Sequence, residues 1–284
     1  MLPGKILKSL LAGLLLLVVS CLPDPLEVGS VPGAKPEIVV SSQITSDQSL
    51  MVFLTRTFGA LDANDEKSPQ ELLSLIAIQD ALVIIEGPGG RDTLHLLGNG
   101  LYGGDLIPPF KSGERYNLYI NSPEFGTVYA TTEVKPKVAF DSVEAELSNN
   151  GLDDSLAQIN FTFQDTPEDN WYMINVQEIQ QGDPIEDMLN PKAFTILVPD
   201  DDFNGKSYSE GFKVFPRDNK RGDSIAVSLS NISEEYYRFM KLRVDNRFNL
   251  IEFLSEPVNY PSNIVGGKGY FNLYVPDVRY FVLR

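Results

Sequence analysis

The chain has 284 residues, 23 Lys and Arg against 39 Asp and Glu, a net charge of −16, one histidine and one cysteine. An acidic chain without a basic cluster lacks the cations that displace counterions from phosphate backbones, so nucleic acid is not an expected partner. One cysteine excludes a disulfide within the chain, and one cysteine with one histidine excludes a zinc centre built from several such ligands.

At the N-terminus Lys5 and Lys8 precede an apolar stretch, Leu10 to Val19, that runs into Val18-Val19-Ser20-Cys21. A charged start, a short apolar run and a small residue before the cut make a secretory leader. The cysteine directly after the small residue makes it a lipobox, in which the Cys21 thiol is diacylated before residues 1–20 are removed. The run from Ile6 to Val19 has 14 residues, whereas a spanning helix needs roughly 20, so cleavage is expected rather than a retained span. Each buried methylene of an acyl chain contributes about 0.8 kcal/mol, and several chains hold a protein firmly to a bilayer. Loss of Lys5 and Lys8, with no acid, takes the net charge from −16 to −18.

Residues 21–36 are rich in proline and glycine and carry no apolar periodicity, which predicts a tether. From Glu37 onward, short runs rich in Val, Ile, Tyr, Phe and Thr alternate with Gly, Pro, Asn and Asp clusters. This pattern predicts strands at Ile38–Ile44, Leu50–Thr57, Ala81–Glu86, Asp92–Leu97, Tyr116–Asn121 and Thr127–Val134. Ser68-Pro69-Gln70-Glu71 interrupts them with a cap, a proline at the first helical position and a glutamate, the start of a brief helix. Residues 37–138 therefore read as an immunoglobulin-like or transthyretin-like β-sandwich.

Pro136 and the switch into Phe140-Asp141-Ser142-Val143 set a boundary near residue 138, and residues 139–284 read as a second β-rich domain with one packed helix. Alternation through Ile159, Phe161 and Phe163 and the run Trp171 to Gln177 predict strands, as do Phe194–Val198, Phe212–Phe215, Asp223–Leu229, Tyr270–Val275 and Arg279–Leu283. The helix falls near 233–245. Ser233 suits its N-cap, Glu234 and Glu235 suit its first turn, and Tyr236, Phe239 and Met240 recur at helical spacing on a face that should pack on a sheet.

Few residues carry a chemical pattern. His95 sits among Leu94, Leu96 and Leu97, where alternation puts it on the strand face opposite its neighbours. A serine or cysteine hydrolase needs such a base beside a nucleophile, and nothing pairs with this one. A glycosidase needs only two carboxylates, so that class survives on count alone. Asp200-x-Asp202-x-Asn204-Gly205 repeats the first half of a calcium loop, with oxygen ligands at alternate positions and a glycine for the turn. The twelfth position is Gly211, with Glu210 one place short, so calcium is set against an ordinary acidic turn and no other cofactor is expected. Loop-borne Tyr102, Phe110 and Tyr260 are the aromatic residues expected to stack on a ligand.

Several stretches together resemble one family. They are Asp200 to Lys206, Ser233 to Tyr237, Phe253 to Val258 and Ser262 to Phe271, preceded in order by Ile38-Val39-Val40, Ala81 to Ile85, Gly100-Leu101-Tyr102 and Gly113 to Leu118. The chain resembles the domain-of-unknown-function family 4249, lipoproteins of Bacteroidota commonly encoded beside TonB-dependent outer-membrane receptors. Gly266-Gly267-Lys268-Gly269 departs from the shorter turn expected there. The resemblance implies an outer-membrane accessory lipoprotein, anchored through its N-terminal lipid on either the periplasmic or the cell-surface face, and it carries over no catalytic residue. The expected function is non-catalytic binding of a TonB-dependent receptor or its nutrient. The alternatives are a carboxylate-dependent envelope glycosidase and a structural component of the outer membrane.

Overall fold

A computed structural model describes residues 35–45, 49–58, 69–104, 110–148, 156–179, 194–214, 220–246 and 259–284. The expected leader, Cys21, the expected tether as far as Ala34 and the expected helix cap Ser68 lie outside the described residues. Pro36–Arg284 form one compact unit. It is mainly β, with strands arranged as an eight-stranded, a four-stranded and a three-stranded sheet.

The large sheet takes β1 (Ile38–Ile44), β2 (Leu50–Arg56), β3 (Leu82–Gly87), β4 (Gly90–Gly98), β5 (Leu101–Gly103), β6 (Arg115–Ser122) and β7 (Gly126–Glu133). Alternation explains the strands directly: in β6, Tyr116, Leu118 and Ile120 point into the core while Asn117, Tyr119 and Asn121 face out. Helix α1 (Pro69–Ile76) interrupts the series, as its start signals imply. Asn99 (φ 45°) and Gly100 (φ 80°) turn β4 into β5, the positive-φ pair that a two-residue hairpin loop needs.

In strand order β14-β1-β2-β5-β4-β3-β6-β7, the first position belongs to β14 (Lys268–Tyr270), which returns from the C-terminus to pair in parallel with β1. Just upstream, Val265 exchanges two backbone hydrogen bonds with Tyr129 of β7, at 2.9 and 3.2 Å. A single segment therefore covers both edges of the sheet, which otherwise would expose unpaired amides. Gly269 allows the approach, because a Cβ there would lie 1.9 Å from the Val40 carbonyl oxygen and its φ is +96°.

The second group of strands is β8 (Phe140–Ser148), β9 (Leu156–Gln164), β10 (Trp171–Glu178), β11 (Phe194–Pro199), β12 (Ser207–Val214), β13 (Ser224–Ile232) and β15 (Asp277–Val282). The sheets β12-β9-β8 and β11-β10-β13-β15 enclose a core of Phe161, Phe163, Tyr172, Ile174, Val227 and Leu229. Strand β10 is buried on both faces. Tyr172, Ile174 and Val176 enter this core, while Met173 enters the first one, which also holds Leu50, Val52 and Ile120.

Helix α2 (Glu234–Asn246) packs on the sheets as its sequence predicts. The Ser233 hydroxyl accepts the Tyr236 amide at 3.2 Å, capping the helix start, and Tyr236 and Phe239 are buried in the first core. Ile264, Tyr270, Phe271, Leu273 and Tyr274, which their sequence position places in the C-terminal domain, also contribute to that first core. The Tyr270–Val275 strand is shorter than its sequence implies, since only Lys268–Tyr270 pairs.

Candidate functional site

A groove of about 620 Å³ lies between the C-terminal half of α2 and the outward face of β1 and β2. Its floor is the alternate register of those strands: Val39 faces Thr55 and Ser41 faces Phe53, while Val40, Val52 and Leu54 point into the core. Phe239 and Arg243, one helical turn apart, make one wall, and Tyr260 and Lys268 contribute to the others. The Arg243 guanidinium sits 5.8 Å from the centroid of the Phe239 ring, and the Tyr260 ring meets Phe239 edge-on at 6.0 Å. Behind them burial pushes the Tyr236 and Tyr270 hydroxyls up to about 12, with the Arg243 charge opposing the rise at Tyr236 and a Ser233 hydrogen bond opposing it at Tyr270.

Of the three aromatic residues singled out in the sequence, the structure brings only Tyr260 into this groove. It is 39% exposed. Tyr102 is not on a loop but in β5, 2% exposed, where its hydroxyl accepts the Ala81 amide at 3.0 Å and donates to the Ile78 carbonyl at 3.1 Å. Burial raises its pKa, and with both hydrogen bonds spent inside the fold it pins the connection from α1 to β3 rather than meeting a ligand. Phe110 is half-buried with its ring edge-on to Tyr116 at 5.2 Å, a packing role. His95 faces solvent, but Leu96 and Leu97 do too, at 41% and 49% exposure, because a bulge between Leu96 and Gly98 breaks the alternation.

The acidic turn is built differently from a calcium loop. Asp200 is 3% exposed and turns inward, its carboxylate accepting the Asn170 amide at 2.7 Å. Asp202 and Asn204 stay exposed, and the Asn204 amide reaches instead toward the Glu168 carbonyl and Asp169. Asp165, 3% exposed, accepts the Gly205 amide at 2.7 Å, the Asn170 side chain at 3.2 Å and the Tyr172 hydroxyl. The network ties the β9–β10 and β11–β12 connections together. Burial is the main cause that raises the Asp200 pKa, with the neighbouring Asp165, Asp169 and Asp201 adding to it and the Asn170 amide opposing. Among the described residues no group of three or more His, Cys, Asp or Glu side chains is placed to hold a metal ion.

The family model described as "Domain of unknown function (DUF4249)" matches residues 24–278, and the chain belongs to this family. No curated protein matches the chain. Among solved structures the chain is similar to a two fibronectin type-III domain segment from chicken tenascin, at 9% identity and a TM-score of 0.20, covering 70% of this chain and 90% of that one. The sequence singled out Tyr260 but missed Phe53, Phe239, Arg243 and Lys268. Alternation in β2 and the helical stripe of α2 could have given the first three, but only the parallel pairing of β14 brings Lys268 beside them.

Proposed function

We propose that the protein is a non-catalytic lipoprotein of the outer membrane, anchored at Cys21, that serves a TonB-dependent receptor by binding the receptor or the nutrient it imports. The observation that carries the binding half of this reading is the groove, a concavity within the size range of small-molecule sites whose walls mix apolar rings with a few polar and charged groups. Among the described residues its lining holds no histidine, cysteine or carboxylate placed as a base or nucleophile. Asp165 and Asp200, close enough to repel, are both buried and engaged by backbone amides, which supports binding over carboxylate-dependent hydrolysis. The lipobox sequence at Cys21 and membership of the family over residues 24–278 support the envelope placement.

Affinity purification of the tagged protein from detergent-solubilised outer membranes tests the partner half. A TonB-dependent receptor should co-purify in stoichiometric yield. Recovery of the lipoprotein without any such receptor would count against this reading.

A further inference from the structure

We infer that the groove between α2 and the β1–β2 face takes a small amphiphilic anion, with an apolar or aromatic body lying against Phe53 and Tyr260 and its anionic group meeting Arg243 and Lys268. The inference rests on reading the protein as a binding module, but not on the identity of its receptor.

Charge carries the first part. The chain has 39 acidic residues against 23 basic ones, yet among the described residues the charged ones lining the groove are Arg243 and Lys268, both cations. Arg243 is exposed, and its guanidinium has no carboxylate partner among the described residues; it lies over the Phe239 ring instead. Lys268 is held by Glu37 at 3.8 Å across a pair in which both side chains are about half-exposed, so water screens most of that attraction. The net charge of the chain, −16, works against an anion, so a groove whose described charged lining is cationic marks where an anion can be tolerated.

Shape carries the second part. Val39 and Phe53 are on the outward face of β1 and β2, where a solvated antiparallel sheet normally presents polar side chains. They are half-buried at the groove floor, and Tyr260 exposes a ring next to them. A guanidinium favours an anionic group that presents two oxygens side by side, a carboxylate or a sulfonate, because that group can accept two parallel hydrogen bonds. A volume of about 620 Å³ fits one small molecule rather than a folded partner.

The test is isothermal titration of the full lipidated chain in a non-ionic detergent, with matched detergent in the syringe and naphthalene-2-sulfonate as the probe. Sodium sulfate supplies the charge without the body, and 2-naphthylmethanol supplies the body without the charge. Naphthalene-2-sulfonate should bind at least tenfold more tightly than either. The variant Arg243→Gln with Lys268→Gln should lose at least tenfold in affinity for the sulfonate while leaving 2-naphthylmethanol unchanged, and Tyr260→Leu should weaken both aromatic probes. The altered side chains are exposed, so melting temperatures should stay at the parent value, and Arg115→Gln, a cation away from the groove, should change nothing. No binding of naphthalene-2-sulfonate, or equal binding by the parent and the doubly substituted chain, would overturn the inference. Receptor co-purification is a separate readout: its loss with sulfonate binding intact removes the partner and leaves the groove's ligand class standing.

Discussion

Ser42 and Asn272 hold one another reciprocally: the Ser42 hydroxyl donates to the Asn272 carbonyl at 3.0 Å and accepts the Asn272 amide at 2.8 Å. They are 230 positions apart, and both are buried. The Asn272 side chain in turn accepts the Thr132 hydroxyl at 3.2 Å, so one residue ties the C-terminal segment to β1 and to β7. Removing the Ser42 hydroxyl leaves two backbone groups of Asn272 buried without partners. Ser42→Ala should cost about 1–3 kcal/mol, read as a lower urea midpoint at unchanged slope. An unchanged midpoint would mean the edge closure does not depend on this pair.

Gly269 tests the same closure by volume. Gly269→Ala places a Cβ against the Val40 carbonyl oxygen, 1.9 Å away, at a φ of +96°, and must break the pairing of β14 with β1. A loss of about 3 kcal/mol is expected from the combined clash and strain. Gly126 also has a positive φ, +89°, but open space around its Cβ position. Its alanine variant carries only the backbone cost, about 1 kcal/mol. Equal losses in thermal denaturation would show that the close approach is not what requires Gly269.

The Asp200 carboxyl has a folded pKa above its unfolded value of 3.8. The folded state therefore holds its proton more tightly than the unfolded state, and the ionised carboxylate weakens the fold at neutral pH. Its contribution to stability is greatest below the unfolded value and falls as pH rises through the raised one. Asp200→Asn keeps an acceptor for the Asn170 amide and removes the charge, so it should be more stable than the parent at pH 7. That advantage should shrink as the pH is lowered toward 3.8, measured by urea denaturation across the acid range. A constant difference would contradict this account of the turn.

Alkali should act through the tyrosines behind the groove. Tyr236 and Tyr270 have pKa values raised from 10.0 to about 12, mainly by burial. Their neutral forms favour the folded state, so the stability they contribute is full below pH 10 and is lost as pH rises through about 12. Phenolate absorbance should rise in two steps, exposed tyrosines first and the buried set together with loss of near-ultraviolet dichroism. A single step near pH 10 would contradict the burial of these rings.

Local pattern made much of the fold legible. The bounds of β1 match the alternating run Ile38–Ile44, and α2 begins where Ser233 caps it, because period and capping are local properties. What was not legible depends on partners distant in sequence. The three-residue strands β5 and β14 are too short to carry a pattern, and β14 exists because Gly269 lets it lie against Val40. That also accounts for Gly266-Gly267-Lys268-Gly269, which departs from the expected turn: the segment crosses from Tyr129 at one sheet edge to Val39 at the other. Tyr102 misled because the Gly100-Leu101-Tyr102 sequence looks like a loop, whereas burial decides its role. The acidic turn also rests on a distant contact: spacing places oxygens in order, but Asp200 is drawn inward by an amide from another connection.

Where the protein resides decides between a membrane-tethered binding module and any freely diffusing alternative. The direct measurement is fractionation of cells producing the parent chain or Cys21→Ala, with mass spectrometry of the mature N-terminus. The parent should be recovered in the outer-membrane fraction with an acylated Cys21 as its first residue, and Cys21→Ala should lose both the acyl group and the outer-membrane location. A parent chain in the soluble fraction, or a Cys21→Ala chain retained in the outer membrane as fully as the parent, would contradict the account.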